Sequence, residues 1–424
     1  MSKYVIVGSS AAGIGAVEAI REVDPVGTIT VISEEPCPQY SRPMISDFVS
    51  GKANLEKMKC RDDHFWEKNT VQALTGRTAV SLNLADRYVA LDGQDRINFE
   101  KLLIATGGKP FIPKIEGAEK DGVLTFTTFS DAERLAAKIE KSKKAVIIGA
   151  GLIGVSAAEA LAKRGLEVTM VEFKDKILSL LLDATASDIV ENVIRKSGVT
   201  IITGQTVQRI LGKPEDDRVV GGTILTNGDQ VSCDLVIIAI GVVPRMELIA
   251  GTDVKTNKGI IVDRFMRTNV PDVYASGDVA EAYDFVLNEN RPLPLWPLAQ
   301  LEGRVAGYNM AGKKTDYPGG TSMSALKYFG IPIISVGLAN PKDDCTYEIL
   351  VKLDPEKNLY KKLVLKDNVI VGMTFVNDIE RAGTIFYLMK NCVNVKKFKQ
   401  ELISENFGLA TLPSRLRKKM NLGN

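Results

Sequence analysis

Two glycine-rich loops are the residues of this sequence whose types and spacing most clearly indicate chemistry. The first loop is Gly8-Ser9-Ser10-Ala11-Ala12-Gly13, which follows the apolar residues 4–7. The second is Gly149-Ala150-Gly151-Leu152-Ile153-Gly154, which follows the apolar residues 145–148. In this arrangement a pyrophosphate can approach the backbone N–H groups at the N-terminus of the helix after the loop. Two such loops in one chain predict two dinucleotide cofactors, a flavin and a nicotinamide, and therefore electron transfer.

An acidic residue stands near the end of the second predicted strand of each loop-bearing unit. After the first loop it is Glu34, with Glu35 beside it, and after the second loop it is Glu172. A carboxylate at this position accepts hydrogen bonds from an adenosine ribose and repels the 2′-phosphate of NADP. We therefore predict NADH in preference to NADPH at the second loop, although Lys174 is a nearby cation that could weaken this preference. The first loop departs from the pattern at Ser10, which stands at the middle glycine position.

The composition excludes several other classes of function. A net charge of +2 gives no reason to expect nucleic acid as a partner. No apolar run approaches the length of a membrane span, and the strand-like residues that begin at residue 4 leave no room for a signal peptide, so we predict a cytoplasmic protein. His64 is the only histidine, and the cysteines are dispersed without a C-x-x-C pair, so we predict no metal site. The cysteines are Cys37, Cys60, Cys233, Cys345 and Cys392.

The elements that must position these residues alternate between strand-like and helix-like runs, which is typical of a parallel sheet. A buried apolar run ending in a glycine turn follows each loop-bearing unit, at residues 101–108 and 235–241. The segment 268–278 ends in Gly277-Asp278, an acid beside a glycine, which taken alone could be any strand-to-helix turn. From about residue 315 shorter alternating segments indicate an antiparallel sheet with helices after it. The sequence therefore predicts an α/β fold with two loop-bearing domains and a third, C-terminal α+β domain.

As an ordered set these motifs resemble those of the FAD-dependent pyridine-nucleotide oxidoreductases, over nearly the whole chain. The resemblance implies two Rossmann-like domains of the glutathione-reductase type, with the FAD domain split between residues 1–112 and 243–315. The NAD(P) domain would be residues 113–242, and residues 316–424 would form an α+β interface domain through which two copies could pair. Asp278 is implied to bind the flavin ribitol. The matching segments are Gly8 to Gly13, Ala105-Thr106-Gly107, Gly149 to Gly154, Ala239 to Pro244 and Ser276-Gly277-Asp278.

Within that family, residues 40–46 (Tyr-Ser-Arg-Pro-Met-Ile-Ser) look like the Y-x-R-P-x-L-S segment of rubredoxin reductases, ferredoxin reductases and the flavin part of nitrite reductases. In those enzymes the segment passes beside the isoalloxazine ring. The resemblance therefore gives catalytic roles to Arg42, as a positive charge close to the flavin, and to Pro43, which fixes the turn. Trp296-Pro297-Leu298-Ala299 and residues 360–372 also look like the rubredoxin-reductase group. Trp296 would begin a helix that points at the flavin pyrimidine and stabilises the anionic reduced flavin.

Not every role in these relatives can be transferred to this chain. Asp47 stands where many relatives have a lysine, and Ser156 stands where many have a glutamate near the nicotinamide, so neither role is carried over. The residues predicted to contact FAD or NAD are Gly8, Ser10, Ala11, Ala12, Gly13, Glu34, Glu35, Arg42, Ala105, Thr106, Gly107, Gly149, Gly151, Leu152, Ile153, Gly154, Glu172, Gly241, Gly277, Asp278, Trp296, Pro297, Leu298 and Ala299.

These residues lead to the hypothesis of an FAD-dependent NAD(P)H oxidoreductase that passes electrons between NADH and a one-electron iron–sulfur carrier by hydride transfer at flavin N5. The carrier would be a ferredoxin, a rubredoxin or an iron–sulfur subunit. Basic residues near the C-terminus, among them Lys396, Lys397 and Arg415, could steer it, because such carriers are typically acidic. A solvated helical tail explains the same charges equally well.

Two alternatives remain open. NADH oxidases and coenzyme A disulfide or persulfide reductases use a redox cysteine beside the flavin, near the position of residues 41–44, where this chain has none. Cys37 is the nearest, but it precedes that stretch between Pro36 and Pro38, and it could equally be a small apolar filler in a loop. The second alternative is a flavoprotein subunit of a larger redox complex.

Overall fold

The computed structural model of the chain describes residues 2–341, 346–405 and 407–421, so Cys345 lies outside the described residues. The described residues form two compact units. The first unit comprises residues up to 113, 125–137 and 241–320, and the second comprises residues 114–124, 138–240 and 321 onward. Each unit thus contains one of the two glycine loops. The division into three domains, with boundaries after residues 112, 242 and 315, stays a prediction.

A parallel sheet forms the centre of the first unit, and its inner strands are apolar runs buried on both faces. The register places Val7 opposite both Ile32 and Ile104, and Ala275 also opposite Ile104. Residues that follow these strands, such as the first glycine loop and Asp278, therefore emerge at one edge of the sheet. The parallel strands, in spatial order, are Val71–Thr75, Ile29–Ser33, Ser2–Val7, Arg96–Ile104 and Val273–Ala275.

Two helices of the first unit pack closely against each other. Ala11–Val23 begins at the first glycine loop, and Trp296–Met310 begins at the tetrapeptide predicted to lie near the flavin. A Cβ atom on Gly303 would lie only 2.0 Å from the carbonyl oxygen of Ala12, so no other residue fits there. The first turn of one helix is therefore fixed against the middle of the other.

The other elements of the first unit are short. Ala79–Asn83 and Tyr88–Leu91 extend the main sheet by antiparallel pairing, and Gly108–Pro110 pairs with Val242–Pro244. A small sheet consists of Ile260–Ile261, Ala280–Asp284 and Glu289–Pro292. The short helical segments are Arg42–Met44, Ile45–Val49, Leu55–Met58, Phe65–Lys68, Asp92–Gln94, Glu247–Ile249 and Gly277–Val279, and a longer helix, Phe129–Ile139, begins in this unit.

A second parallel sheet lies in the second unit. The register places Ile148 opposite Val171 and Ile238, so the second glycine loop and Glu172 emerge at the same edge. The strands of this sheet are, in order, Thr200–Thr203, Glu167–Glu172, Lys144–Ile148, Leu235–Ile238 and Val123–Thr125. The helices are Leu152–Lys163 and Ala184–Lys196, and a separate antiparallel sheet consists of Val207–Lys213, Asp216–Leu225 and Gln230–Ser232.

The C-terminal part of the second unit is an antiparallel sheet with helices after it, as the sequence predicts. Its contacts with the rest of the unit include polar ones: Tyr360 Oη and Lys362 Nζ donate to the Asp183 carboxylate at 2.5 and 2.9 Å. The strands, in order, are Met323–Tyr328, Ile331–Gly337, Val369–Val376, Leu359–Lys366 and Glu348–Asp354. The helical segments are Ala382–Lys390, Lys399–Ile403, Leu409–Thr411 and Ser414–Asn421.

Candidate cofactor sites

The first glycine loop is packed so tightly that its two outer glycines are obligatory. A Cβ atom on Gly8 would lie 2.1 Å from the carbonyl oxygen of Ala105, and one on Gly13 would lie 2.0 Å from the carbonyl oxygen of Gly8. Gly8 also has a positive φ of 120°, which side chains rarely adopt. The loop therefore brings the start of the helix close to the strand ends, as binding of a pyrophosphate requires.

Ser10, the residue that replaces the middle glycine, is compatible with this site. It precedes the helix Ala11–Val23 as its N-cap, but its side chain makes no capping hydrogen bond. The carbonyl oxygen of Ser10 accepts from the Ile14 N–H, but its hydroxyl caps none of the N–H groups of the first helical turn, so it does not compete with a phosphate for them. Serine at this position does not remove the anion-binding property of the helix N-terminus.

The two glutamates after the second strand have different surroundings. Glu34 is more than half exposed and forms an ion pair with Arg245. Glu35 accepts a hydrogen bond from Arg42 Nη2 at 2.8 Å and lies 3.4 Å from Tyr40 Oη. Glu34 is thus the carboxylate with access to a ribose, whereas Glu35 orients Arg42.

Arg42 lies at the start of the short helical segment Arg42–Met44, in which Pro43 occupies the first turn. Besides Glu35, its guanidinium donates to the carbonyl oxygen of Thr127 at 3.1 Å. Burial raises the pKa of the Asp278 carboxyl, and the positive charge of Arg42 acts in the opposite direction. Arg42 and Asp278, 236 positions apart in the sequence, are therefore close enough for their charges to interact.

Hydrogen bonds connect the turn at residues 105–107 to the segment after Gly241. Thr106 Oγ1 donates to the carbonyl oxygen of Arg245 at 2.7 Å, and the Arg245 N–H donates to the Gly107 oxygen at 2.9 Å. Gly241 itself accepts a hydrogen bond from the N–H of Phe111 at 3.0 Å. All of these residues belong to the first unit, and their contacts with a cofactor stay predictions.

The helix Trp296–Met310 starts beside the Gly277–Asp278 turn. Pro297 lies in its first turn, where the absence of an N–H is not a disadvantage. A Cβ atom on Gly277 would lie 3.4 Å from the Cβ of Ala299, so the turn and the helix start are in contact. The positive end of this helix dipole is therefore close to Asp278, as the prediction for Trp296 to Ala299 requires.

The second glycine loop has the same construction in the second unit. A Cβ atom on Gly154 would lie 1.9 Å from the carbonyl oxygen of Gly149, whereas one on Gly151 would meet nothing within 4 Å. The Glu172 carboxylate accepts hydrogen bonds from the N–H of Ala150 at 2.7 Å and from the N–H of Lys174 at 2.9 Å. The predicted ribose acceptor therefore lies directly against the predicted pyrophosphate loop.

The sequence alone did not indicate several residues that hold the first site together. Glu302 accepts a hydrogen bond from the Gly277 N–H, and Tyr317 donates to Glu302. Arg245 binds Glu34 and the 106–107 turn. The only sequence signal for the helix crossing was the G-x-x-x-G spacing of Gly303 and Gly307.

The described thiols in the first unit and in the core of the second are buried or half-buried. Burial, together with the charge of Glu35, raises the pKa of Cys37 to about 11, so its thiolate is scarce at neutral pH. Cys60 donates to the carbonyl oxygen of Gln39 at 3.3 Å, and Cys233 is buried.

Within the described ranges, no group of three or more His, Cys, Asp or Glu side chains could hold a metal ion. None of the described helices is long and apolar enough to cross a membrane. The cytoplasmic location and the homodimer stay predictions.

Comparisons with protein families agree with these two sites. Residues 2–303 match the family model described as pyridine nucleotide-disulphide oxidoreductase. Residues 323–392 match the model described as the rubredoxin NAD+ reductase C-terminal domain. Together the two matches include both glycine loops, the Gly277–Asp278 turn and the C-terminal sheet.

Individual relatives match over nearly the whole chain. The chain is 35% identical over 393 residues to the epsilon subunit of NADH-dependent phenylglyoxylate dehydrogenase from Aromatoleum evansii, covering 92% of this chain and 91% of that protein. It is 32% identical over 402 residues to nitrite reductase [NAD(P)H] from Bacillus subtilis, covering 93% of this chain but 48% of that protein, so it spans about half the length of this relative. The solved structure of an NAD-dependent persulfide reductase from A. fulgidus has a TM-score of 0.87 and 27% identity, covering 99% of this chain and 82% of that one.

These matches confirm the predicted fold class and the predicted enzyme class, an FAD-dependent NAD(P)H oxidoreductase. They also confirm FAD and NADH as the cofactors. The contacts of individual residues with these cofactors stay predictions, as does the identity of the electron acceptor.

Proposed function

The chain belongs to the pyridine nucleotide-disulphide oxidoreductase family, and from this premise we propose that it passes electrons from NADH, through FAD, to a one-electron iron–sulfur carrier. The observation that best supports this acceptor is the surroundings of residues 40–46, where a cysteine-dependent relative would need its thiol. There Arg42 is paired with Glu35, and the thiol nearest in sequence, Cys37, has a pKa raised to about 11. The match of residues 323–392 to a rubredoxin reductase domain supports a carrier of the rubredoxin type.

When bound, FAD supplies the conversion between the two-electron chemistry of NADH and the one-electron chemistry of the carrier. In this proposal the residues of the first unit bind and orient it. The N-terminus of the helix Ala11–Val23 faces the pyrophosphate, Glu34 accepts from the adenosine ribose and Asp278 accepts from the ribityl chain. Because Arg245 is paired with Glu34 in the structure, it must release or share this carboxylate when the ribose binds.

Positive electrostatic potential at the flavin is the proposed catalytic contribution of the chain. Arg42 is fixed by Glu35 and by the Thr127 carbonyl, so its charge is held in place before the reaction. The N-terminus of the helix Trp296–Met310 adds the positive end of a helix dipole beside Asp278. Both features favour a negatively charged reduced flavin, and no side-chain base is needed.

The second unit is proposed to bind NADH. Its glycine loop leaves open space at Gly151 for the pyrophosphate, and Glu172 lies against Ala150, where it can accept from the ribose hydroxyls. The same carboxylate would repel the 2′-phosphate of NADPH. This arrangement favours NADH over NADPH.

Two other functions have specific support. The likeness to a persulfide reductase favours a cysteine-dependent reaction, in which Cys37 would be the redox group. The relative named as an epsilon subunit, and the coverage of only half of a nitrite reductase, favour a flavoprotein component of a larger redox complex. Turnover with a simple carrier in the absence of any partner subunit would argue against that second function.

The acceptor is tested by measuring anaerobic reduction of oxidised rubredoxin by NADH in the presence of the purified protein. Cys37→Ser is the informative variant, and Cys60→Ser is its matched control, because both thiols are half-buried in the same unit. We expect both variants to reduce the carrier at close to the wild-type rate. Loss of NADH oxidation in Cys37→Ser alone would show that the cysteine-dependent reaction is the correct one.

A further inference from the structure

The turn that presents Asp278 depends on a carboxyl group behind it. Gly277 has a positive φ of 76°, and a Cβ atom there would lie 3.3 Å from the Cβ of Ala12. The Gly277 N–H points into the protein and donates to Glu302 Oε2 at 2.8 Å. Glu302 therefore fixes the orientation of the Ser276–Gly277 peptide, one peptide bond before the one that joins Gly277 to Asp278.

Glu302 is itself held rigidly. Its side chain is 2% exposed and lies in the middle of the helix Trp296–Met310. The neighbouring Gly303 touches the carbonyl oxygen of Ala12, so the helix cannot shift without separating from its partner. The second carboxyl oxygen accepts from the hydroxyl of Tyr317 at 3.3 Å, and Tyr317 is fully buried.

We propose that Glu302 is a positioning residue for FAD, which holds the Gly277 peptide so that the Asp278 carboxylate is preorganised for the ribityl chain. This inference depends on the role proposed above for Asp278. Glu302 does not itself touch the cofactor in this account, because it is buried behind the turn. A hydrogen bond from a buried N–H to a fixed acceptor costs no reorganisation when FAD binds.

The charge on Glu302 makes this positioning sensitive to pH. Burial raises the pKa of Glu302 to about 8, and the negative charge of Asp278 acts in the same direction, whereas hydrogen bonds from Gly277 and Tyr317 oppose it. The charge of Arg42 acts on the pKa of Asp278, and the charges of Asp284 and Arg264 act on the pKa of Tyr317. The group is mostly neutral near pH 7, and above about pH 8 it becomes a second negative charge beside Asp278.

The sign of the effect on FAD follows from linkage. FAD has an anionic pyrophosphate, so it binds more tightly to the form of the protein in which Glu302 is protonated. Its affinity should therefore be constant below the pKa of Glu302 and fall above it, by at most about tenfold per pH unit for one linked proton. Tyr317 stabilises the ionised carboxylate, so removing its hydroxyl should move this fall to higher pH.

The test is titration of the apoprotein with FAD, followed by flavin fluorescence, at about pH 7 and about pH 9, on either side of the expected transition. Glu302→Gln keeps an acceptor for the Gly277 N–H but cannot ionise, so it should bind FAD normally near pH 7 and lose the pH dependence. Glu302→Leu removes the acceptor and should weaken FAD binding roughly tenfold at both pH values. Tyr317→Phe should shift the pH dependence. The control is Tyr308→Phe, which should leave it unchanged, because Tyr308 lies on the same helix as Glu302 but donates to the exposed Glu22.

The proposal is overturned if Glu302→Gln retains the wild-type pH dependence, or if Glu302→Leu binds FAD as tightly as the wild type. If circular dichroism shows that Glu302→Leu does not fold, the pH dependence of FAD binding by Glu302→Gln and Tyr317→Phe still tests the proposal. Failure of the carrier assay would leave these FAD titrations unaffected, so the two proposals fail independently. Normal FAD binding by Asp278→Ala would instead refute the role of Asp278 on which the positioning depends.

Discussion

Glu172 determines the choice of nicotinamide nucleotide in this account. In the structure its two carboxylate oxygens accept from the N–H groups of Ala150 and Lys174, which places it against the second glycine loop. The ribose hydroxyls and these N–H groups are all hydrogen-bond donors. The Glu172 carboxylate therefore accepts hydrogen bonds both with and without NADH. The 2′-phosphate of NADPH would place a second negative charge beside this carboxylate. NADPH should therefore bind more weakly than NADH.

Replacing Glu172 with arginine should move the preference from NADH towards NADPH. A guanidinium can bind the 2′-phosphate by charge-assisted hydrogen bonds, so we expect the ratio of kcat/KM for NADPH over NADH to rise by about tenfold or more. The matched control is Glu167→Arg, at the exposed start of the same strand, which should leave the ratio unchanged. Steady-state kinetics with both nucleotides measure this, and an unchanged ratio in Glu172→Arg would exclude it from the ribose site.

At the scale of elements, the crossing of the helices Ala11–Val23 and Trp296–Met310 is the feature that joins the parts of the first site. One helix begins at the pyrophosphate loop, and the other begins beside Asp278 and contains Glu302. Their close approach at Gly303 means that a displacement of either helix moves both groups of site residues together. The crossing therefore connects packing directly to cofactor binding.

A methyl group at this crossing should damage both stability and FAD binding. Gly303→Ala would place a Cβ atom 2.0 Å from a backbone oxygen, so the helices must separate, at a cost of about 1–3 kcal/mol in the free energy of unfolding. Gly383→Ala is the matched control, because a Cβ atom on this helical glycine would meet no atom within 4 Å and alanine is the better helix former. Thermal unfolding and FAD titration check both variants, and a fully stable, fully flavinated Gly303→Ala would contradict the packing argument.

Some residues of the two sites could be predicted from the sequence, and others could not. Gly8, Gly149 and Glu172 could be predicted because a strand, a glycine loop and an acid follow one another locally in the chain. Glu302 and Arg245 could not be predicted, because each binds a residue that is distant in the sequence. Their own residue types are common and indicate no special role. The Glu34–Arg245 pair joins positions 211 residues apart, and nothing in the local pattern of either residue indicates it. Contacts of this kind depend on the tertiary structure.

At the scale of the whole molecule, each compact unit contains one glycine loop and the acid predicted to bind a cofactor with it. The first unit adds Arg42, Asp278 and a helix N-terminus, which are suited to a flavin, whereas the second unit adds the C-terminal sheet that matches rubredoxin reductases. The thiol nearest in sequence to the predicted flavin segment is Cys37, and burial raises its pKa to about 11. We therefore propose that electrons are stored on FAD and not on a thiol of the described residues.

The most direct test of that claim is an anaerobic titration of the flavin-loaded protein with NADH, followed by its visible spectrum. We predict complete bleaching of the flavin with one equivalent of NADH per FAD, because a two-electron donor fills a single two-electron centre. The spectra of Cys37→Ser should be the same. Consumption of about two equivalents, together with a long-wavelength band that disappears in Cys37→Ser, would show that a thiolate beside the flavin also stores electrons and would contradict the account.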